Sequence, residues 1–100
     1  VLTQLIELGD EAEKIHERLG REITKICDLV ILTNFNFSKS FISGAKKAGG
    51  NAKIHIVNTL PGVKLLKENL GQDGVIVFEG KEAGRILQHL TNNLPAQAGI

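Results

Sequence analysis

The chain of 100 residues contains no methionine, tryptophan or tyrosine, two prolines and a single cysteine. One cysteine allows neither an internal disulfide nor a cysteine-based zinc cage. Four phenylalanines are the only aromatics, which leaves little for stacking nucleic-acid bases. Twelve basic residues balance eleven acidic ones, so no strong overall field draws the chain to nucleic acid or to a lipid surface. No apolar run approaches the ~20 residues that a membrane span needs. A sequence that starts at Val1 and lacks methionine predicts an excised or trimmed piece of a longer polypeptide. Its start as given carries no signal peptide, and with the lone Cys27 this points to a cytoplasmic protein.

What is present is ordinary for one globular domain: 42% apolar and 23% charged residues,. The pattern alternates between short apolar runs and helical stripes. Residues 1–5 read as a short first strand. Residues 10–26 read as a helix, with Leu8, Ala12, Ile15, Leu19, Ile23 and Ile26 recurring every three or four positions,. Asp10 and Glu13 have capping-box spacing, and Glu17 and Arg21 are placed to pair one turn apart. DLVILT, residues 28–33, is a continuous apolar run, the signature of a strand covered on both faces. A helix over 36–48 with Phe37, Phe41, Ala45 and Ala48 inward ends at Gly49-Gly50. KIHIV, residues 53–57, is the next strand. Thr59 is placed to cap a short helix carrying Leu60, Val63, Leu66 and Leu70, stopped by Gly71. GVIVF, residues 74–78, reads as a last strand, and residues 81–94 as a last helix, with Ala83, Ile86, Leu87, Leu90 and Leu94 inward. Pro95 follows, and residues 96–100 read as a loose tail.

Strands alternating with helices across short connections predict an α/β fold: three layers, α/β/α, around a Rossmann-like, mostly parallel sheet of at least four strands. The expected core includes Ile15, Leu19, Ile23, Val30, Ile31, Phe41, Ile56, Leu66, Val75, Val77 and Leu87.

In open α/β sheets ligands bind at the carboxyl ends of the strands. Each of those ends is polar here: Thr3, Gln4 and Glu7 after the first strand, Thr33, Asn34 and Asn36 after the second, Asn58 and Thr59 after the third, Glu79, Gly80, Lys81 and Glu82 after the fourth. Caps and turns use the same residue types, but their collection along one edge makes it the candidate substrate-binding site. Nucleotide motifs are missing. No G-x-G-x-x-G follows a strand. Gly80-Lys81 is followed by Glu82 where a phosphate loop needs Ser or Thr, and Val75 stands where its first glycine belongs. Asp28 and Asp73 precede strands, so no acidic receiver-type cluster forms. His16, His55 and His89 fall on three elements and suggest no metal site. His16 reads as a partly buried structural residue, and Cys27 as a small core residue. No nucleophile and base grouping is evident, so no catalytic residue is assigned.

ELGDEAEKIHERLG, residues 7–20, resembles a segment of the C-terminal domain of the Mur ligase family. It is nearest the branch that adds D-alanyl-D-alanine to a UDP-muramoyl tripeptide. Glu7, Leu8, Gly9, Glu11, His16 and Gly20 carry the match. DLVIL with GAKKAGG, and IHIVNTL with LLKENLGQDGVIVFEG, resemble the βα units that follow, so the resemblance covers roughly residues 1–92 of a domain spanning 1–94. Two places differ. Thr3-Gln4-Leu5 stands where the family has a G-D-M-type turn, and Glu79 stands where a lysine is usual. The family's preceding segment, with an Asn-Pro turn, would lie before Val1.

The resemblance implies an ATP-dependent amide ligase of peptidoglycan precursor synthesis. In such an enzyme the central domain of the same polypeptide holds ATP and magnesium, and an N-terminal domain holds the UDP-muramoyl peptide. The C-terminal domain closes over the site and positions the incoming amino acid or dipeptide. This segment itself would carry no cofactor. Thr3, Gln4, Glu7, Asn34, Asn58, Glu79 and Lys81 are the residues expected to face the amine substrate. The alternative is a non-catalytic α/β interaction module derived from the same fold, to which the two departures point.

Overall fold

A computed structural model describes residues 1–4 and 9–92. Expectations for Leu5, Glu7, Leu8, Leu94, Pro95 and the tail therefore lie outside the described residues. The chain is mixed α/β. A 3-10 turn, Gly9–Glu11, leads into α1 (Ala12–Ile26); β1 (Leu29–Leu32), α2 (Ser38–Ala48), β2 (Lys53–Ile56), α3 (Thr59–Asn69) and α4 (Lys81–Asn92) follow.

β1 and β2 pair in parallel, Leu29 with Lys53 through Leu32 with Ile56. Leu2 bridges to Leu32 on one side and to Glu79 on the other, both in the parallel sense. The four segments thus lie in the order third, second, first, fourth, which is the doubly wound order, with its switch point between the first and fourth. The expected four-stranded ladder is reduced to two full strands and two single bridges.

β1 lies between two layers. Val30 and Leu32 pack with Leu2 and Phe41 against Leu19 and Ile23, on the side of α1 and α2. Ile31 packs with Val63 and Leu66 of α3 and Ile86 of α4. This two-sided burial is why DLVIL carries no polar alternation.

Several local expectations are corrected. α1 and α2 approach so closely that a methyl group on Gly20 would overlap the Phe41 carbonyl, and one on Gly44 the Glu17 carbonyl. The fully buried face of α1 is therefore Ala12, His16, Gly20 and Thr24. Ile15, Leu19 and Ile23 are half-buried, and Ile26 is 83% exposed. The Thr24 hydroxyl donates to the Gly20 carbonyl, which makes its burial tolerable,. Glu11, not Asp10, is the N-cap of α1 and makes no side-chain cap bond, so the Asp10–Glu13 box does not form. Asn58, not Thr59, is the N-cap of α3, also without a side-chain bond. α3 ends at Asn69, before Gly71, whereas α2 does end at Gly49, whose φ of 68° suits glycine,. Glu17 pairs with Lys47 of α2, closing the α1–α2 contact from outside, rather than with Arg21. Val75, Val77 and Leu87 are 89%, 67% and 40% exposed, and Ile56 is half-buried. The two valines lie at the outer rim of the sheet, beyond the reach of α1 and α2, which cover β1, β2 and Leu2.

Candidate functional site at the carboxyl edge

The carboxyl edge of the sheet is built around Thr3. Its backbone N–H donates to the Glu79 carbonyl, and Glu79 N–H donates to the Val1 carbonyl. Its hydroxyl oxygen accepts the Ala83 N–H at 2.9 Å and the Thr33 hydroxyl at 3.2 Å. Ala83 is the third residue of α4, so Thr3 satisfies one of the amides that a helix start leaves without an internal partner. Gly80 turns the chain into α4 with φ of 99°, and a Cβ there would press on the Thr3 side chain at 2.5 Å. The first and fourth segments are thereby drawn together at the switch point.

Gln4 lies beside this contact and is 3% exposed. Its Nε2 donates to the Asn34 carbonyl at 2.6 Å. That bond fixes the amide orientation, because the reverse would set two oxygens face to face. Its Oε1 is buried and receives no hydrogen bond among the described residues. A buried acceptor left open costs about 1–3 kcal/mol. Asn34 in turn accepts the Asn36 N–H through Oδ1 at 2.8 Å, an Asx-type turn that shapes the loop after β1,.

The wall of the loop is formed by His16. It is fully buried, with Nδ1 2.7 Å from the Ala12 carbonyl, and its ring stacks on Phe37 with centroids 4.7 Å apart and planes 14° off parallel. Phe37 holds a left-handed φ of 56° at the start of α2. Such a conformation is rare for a large side chain, and the stacking on His16 accompanies it. His16 is thus a fully buried structural residue, more deeply placed than expected.

Of the expected site residues, Thr3, Gln4 and Asn34 are joined by this network, and Glu79 and Lys81 adjoin it through the backbone. The Glu79 and Lys81 side chains are exposed. Asn58 is not joined to it: it follows β2 at the far side of the sheet as the N-cap of α3, and its carbonyl accepts the Gly62 N–H. Glu7 lies outside the described residues. Thr33, one of the polar groups after the second strand, joins the network although it is not among the residues expected to face the substrate; Phe37 joins it without any signal in the sequence, since it reads as helix core.

A depression of about 560 Å³ opens at the opposite, amino edge, among Thr24, Cys27, Asp28, Gly50, Asn51 and Lys53. A shallower one of about 440 Å³ runs along the outer face of α2 between Lys39 and Lys47. The amino-edge depression receives the carboxyl ends of α1 and α2, and lysines in their last turns answer the partial negative charge there,. Among the described residues no group of three His, Cys, Asp or Glu side chains is placed to hold a metal ion. No described helix is long and apolar enough to cross a membrane. The Glu17 carboxyl is held below its ordinary range by the hydrogen bond and charge of Lys47. The Val1 nitrogen donates to the Val77 carbonyl at 2.9 Å.

Compared with known proteins, the chain matches no family model, no curated protein and no solved structure.

Proposed function

We propose that this chain is the substrate-positioning domain of an ATP-dependent amide ligase of the Mur type. In this reading it closes on a central ATP-binding domain of the same polypeptide and orients an incoming amino acid or D-alanyl-D-alanine. The reading rests on the resemblance of residues 7–20 together with one structural observation: the open, buried Oε1 of Gln4 at the carboxyl edge. A fold of this class hosts many functions, so the site has to carry the argument.

An amine substrate brings N–H donors and a carboxylate. Gln4 Oε1 is buried, so in this reading it accepts one of those N–H groups only after the edge opens as the domain docks. Lys81 and the first turn of α4 supply positive charge for the carboxylate. Thr3 and Gly80 fix the distance between the two halves. The contribution is orientation: placing the attacking amine against an acyl phosphate made elsewhere. ATP and magnesium belong to the central domain in this reading, and no step of phosphoryl transfer falls on this chain's residues. Glu79, exposed at the same edge where the family usually has lysine, favours a second reading, a non-catalytic interaction module.

Calorimetric titration separates them. The ligase reading expects weak, saturable binding of D-alanyl-D-alanine or a free amino acid, lost in Gln4→Leu, and no binding of ATP with magnesium. Tight magnesium-dependent ATP binding, or no uptake of any amino acid or dipeptide, overturns it.

A further inference from the structure

We propose that the loop formed by residues 34–37 is a gate that swings outward to uncover the Gln4 carboxamide. This deepens the reading above, since it names the element whose movement opens the edge, and it holds whichever ligand enters. The closed gate carries two unfavourable features. Gln4 is 3% exposed, and its Oε1 receives no hydrogen bond among the described residues. An acceptor so placed has lost water and gained no partner. Phe37 has a φ of 56°, the one positive value outside glycine among the described residues. A bulky side chain is strained there, and such strain persists only where the surroundings impose it.

Two contacts impose the closed state, one at each end of the loop. Gln4 Nε2 donates to the Asn34 carbonyl at 2.6 Å. The Phe37 ring stacks on His16 with centroids 4.7 Å apart. His16 is fully buried in α1, with Nδ1 2.7 Å from the Ala12 carbonyl, so it is the fixed half of the stack. Between the two latches Phe35 and Asn36 are exposed, and outward movement draws neither of them from the core.

The hinges follow from the bonds on either side. Thr33 N–H donates to the Leu2 carbonyl and stays with the sheet, while Phe41 N–H holds the Phe37 carbonyl at the start of α2. The Asn36 N–H bond to Asn34 Oδ1 lies within the loop and travels with it. The Ser38 N–H bond to the Phe35 carbonyl spans Phe37, so it closes with the left-handed turn and breaks when φ relaxes. In the open state Phe37 leaves His16 and the Asn34 carbonyl leaves Gln4. The Gln4 carboxamide then presents a free donor and a free acceptor together, which complement an N–H and a carbonyl of an amide or amino-acid ligand. The open state exists before any ligand arrives, and whatever binds Gln4 holds it open.

Nitrogen-15 relaxation dispersion on the full chain, without ligand, tests this. The expectation is exchange at the Asn36 and Ser38 amides and at the Gln4 side-chain amide, with one shared rate and a minor state within the roughly 0.1–10% range of such equilibria. Phe37→Ala removes the stack and keeps the strain, so it raises the minor population severalfold. Phe37→Gly removes both, so it raises that population less than Phe37→Ala does. A loop that merely packs gives the reverse order, because glycine is the more flexible residue. The parent chain alone decides the matter where a variant fails to fold. Flat profiles at all three groups, unrelated rates among them, exchange spread along α1 and α2, or more opening in Phe37→Gly than in Phe37→Ala overturns the proposal. Since no ligand is added, exchange at these groups without uptake of any amino acid or dipeptide strikes the ligase reading and leaves the gate standing.

Discussion

The hydroxyl of Thr3 accepts the backbone N–H of Ala83, 80 residues away, at 2.9 Å. A residue of the first segment therefore caps the last helix. Thr3→Val keeps the shape and removes the acceptor. It should cost about 1 kcal/mol, within the 0.5–2 kcal/mol range of helix caps. Thr3→Ser should retain most of the stability. Urea unfolding of the three chains reads the difference.

The α1–α2 crossing depends on two missing side chains. Gly20→Ala and Gly44→Ala each place a methyl against a backbone carbonyl of the opposing helix. Each should lose about 1–3 kcal/mol through overpacking, despite alanine's better helix propensity. Gly84 of α4 has nothing within 4 Å of the equivalent position. Gly84→Ala should gain up to about 1 kcal/mol. Thermal unfolding of the three variants separates packing from propensity.

Lys47 lowers the Glu17 pKa, first through its hydrogen bond and then through its charge. A carboxyl depressed in the folded state stabilises above its unfolded pKa, and that contribution is lost as pH falls through the folded value. Glu17→Gln should therefore be less stable than the parent at neutral pH. The gap should close as pH drops below the carboxylate range, and shrink in high salt because the pair is exposed. Unfolding midpoints across pH check both the sign and the window.

The ligase reading makes a kinetic prediction for the full-length enzyme it implies. Lys81→Ala should raise KM for the amine substrate and leave that for ATP nearly unchanged. A lost charge-assisted contact of ~1.5–3 kcal/mol corresponds to roughly a tenfold to hundredfold rise. Steady-state kinetics varying one substrate at a time measure it; an unchanged KM for the amine, or a selective loss of ATP affinity, removes Lys81 from the site.

The layers were legible where burial is two-sided. DLVIL announced a covered strand, and Val30, Ile31 and Leu32 are all buried. The helix contacts were not legible from hydrophobicity. α1 turns Gly20 and Thr24 inward because backbone meets backbone there, and apolar spacing cannot register a contact made by the absence of a side chain. Val75 and Val77 read as core because β-branched runs favour strands. Their outward face depends on which helices cover the rim, a property of topology rather than of the segment. At the candidate site, position after a strand located Thr3, Gln4 and Asn34. It also suggested Asn58, which β2 carries to the far side of the sheet. The open Oε1 of Gln4 is a matter of three-dimensional pairing that no spacing encodes.

Amide chemical shifts during a titration with D-alanyl-D-alanine test the central claim most directly, because they report where the ligand sits. The account predicts saturable shifts at Thr3, Asn34 and Lys81 and at the side-chain amide of Gln4, with Thr24, Cys27 and Lys53 at the amino edge unmoved. Shifts confined to the amino edge, or none at the carboxyl edge up to the solubility of the dipeptide, would contradict it.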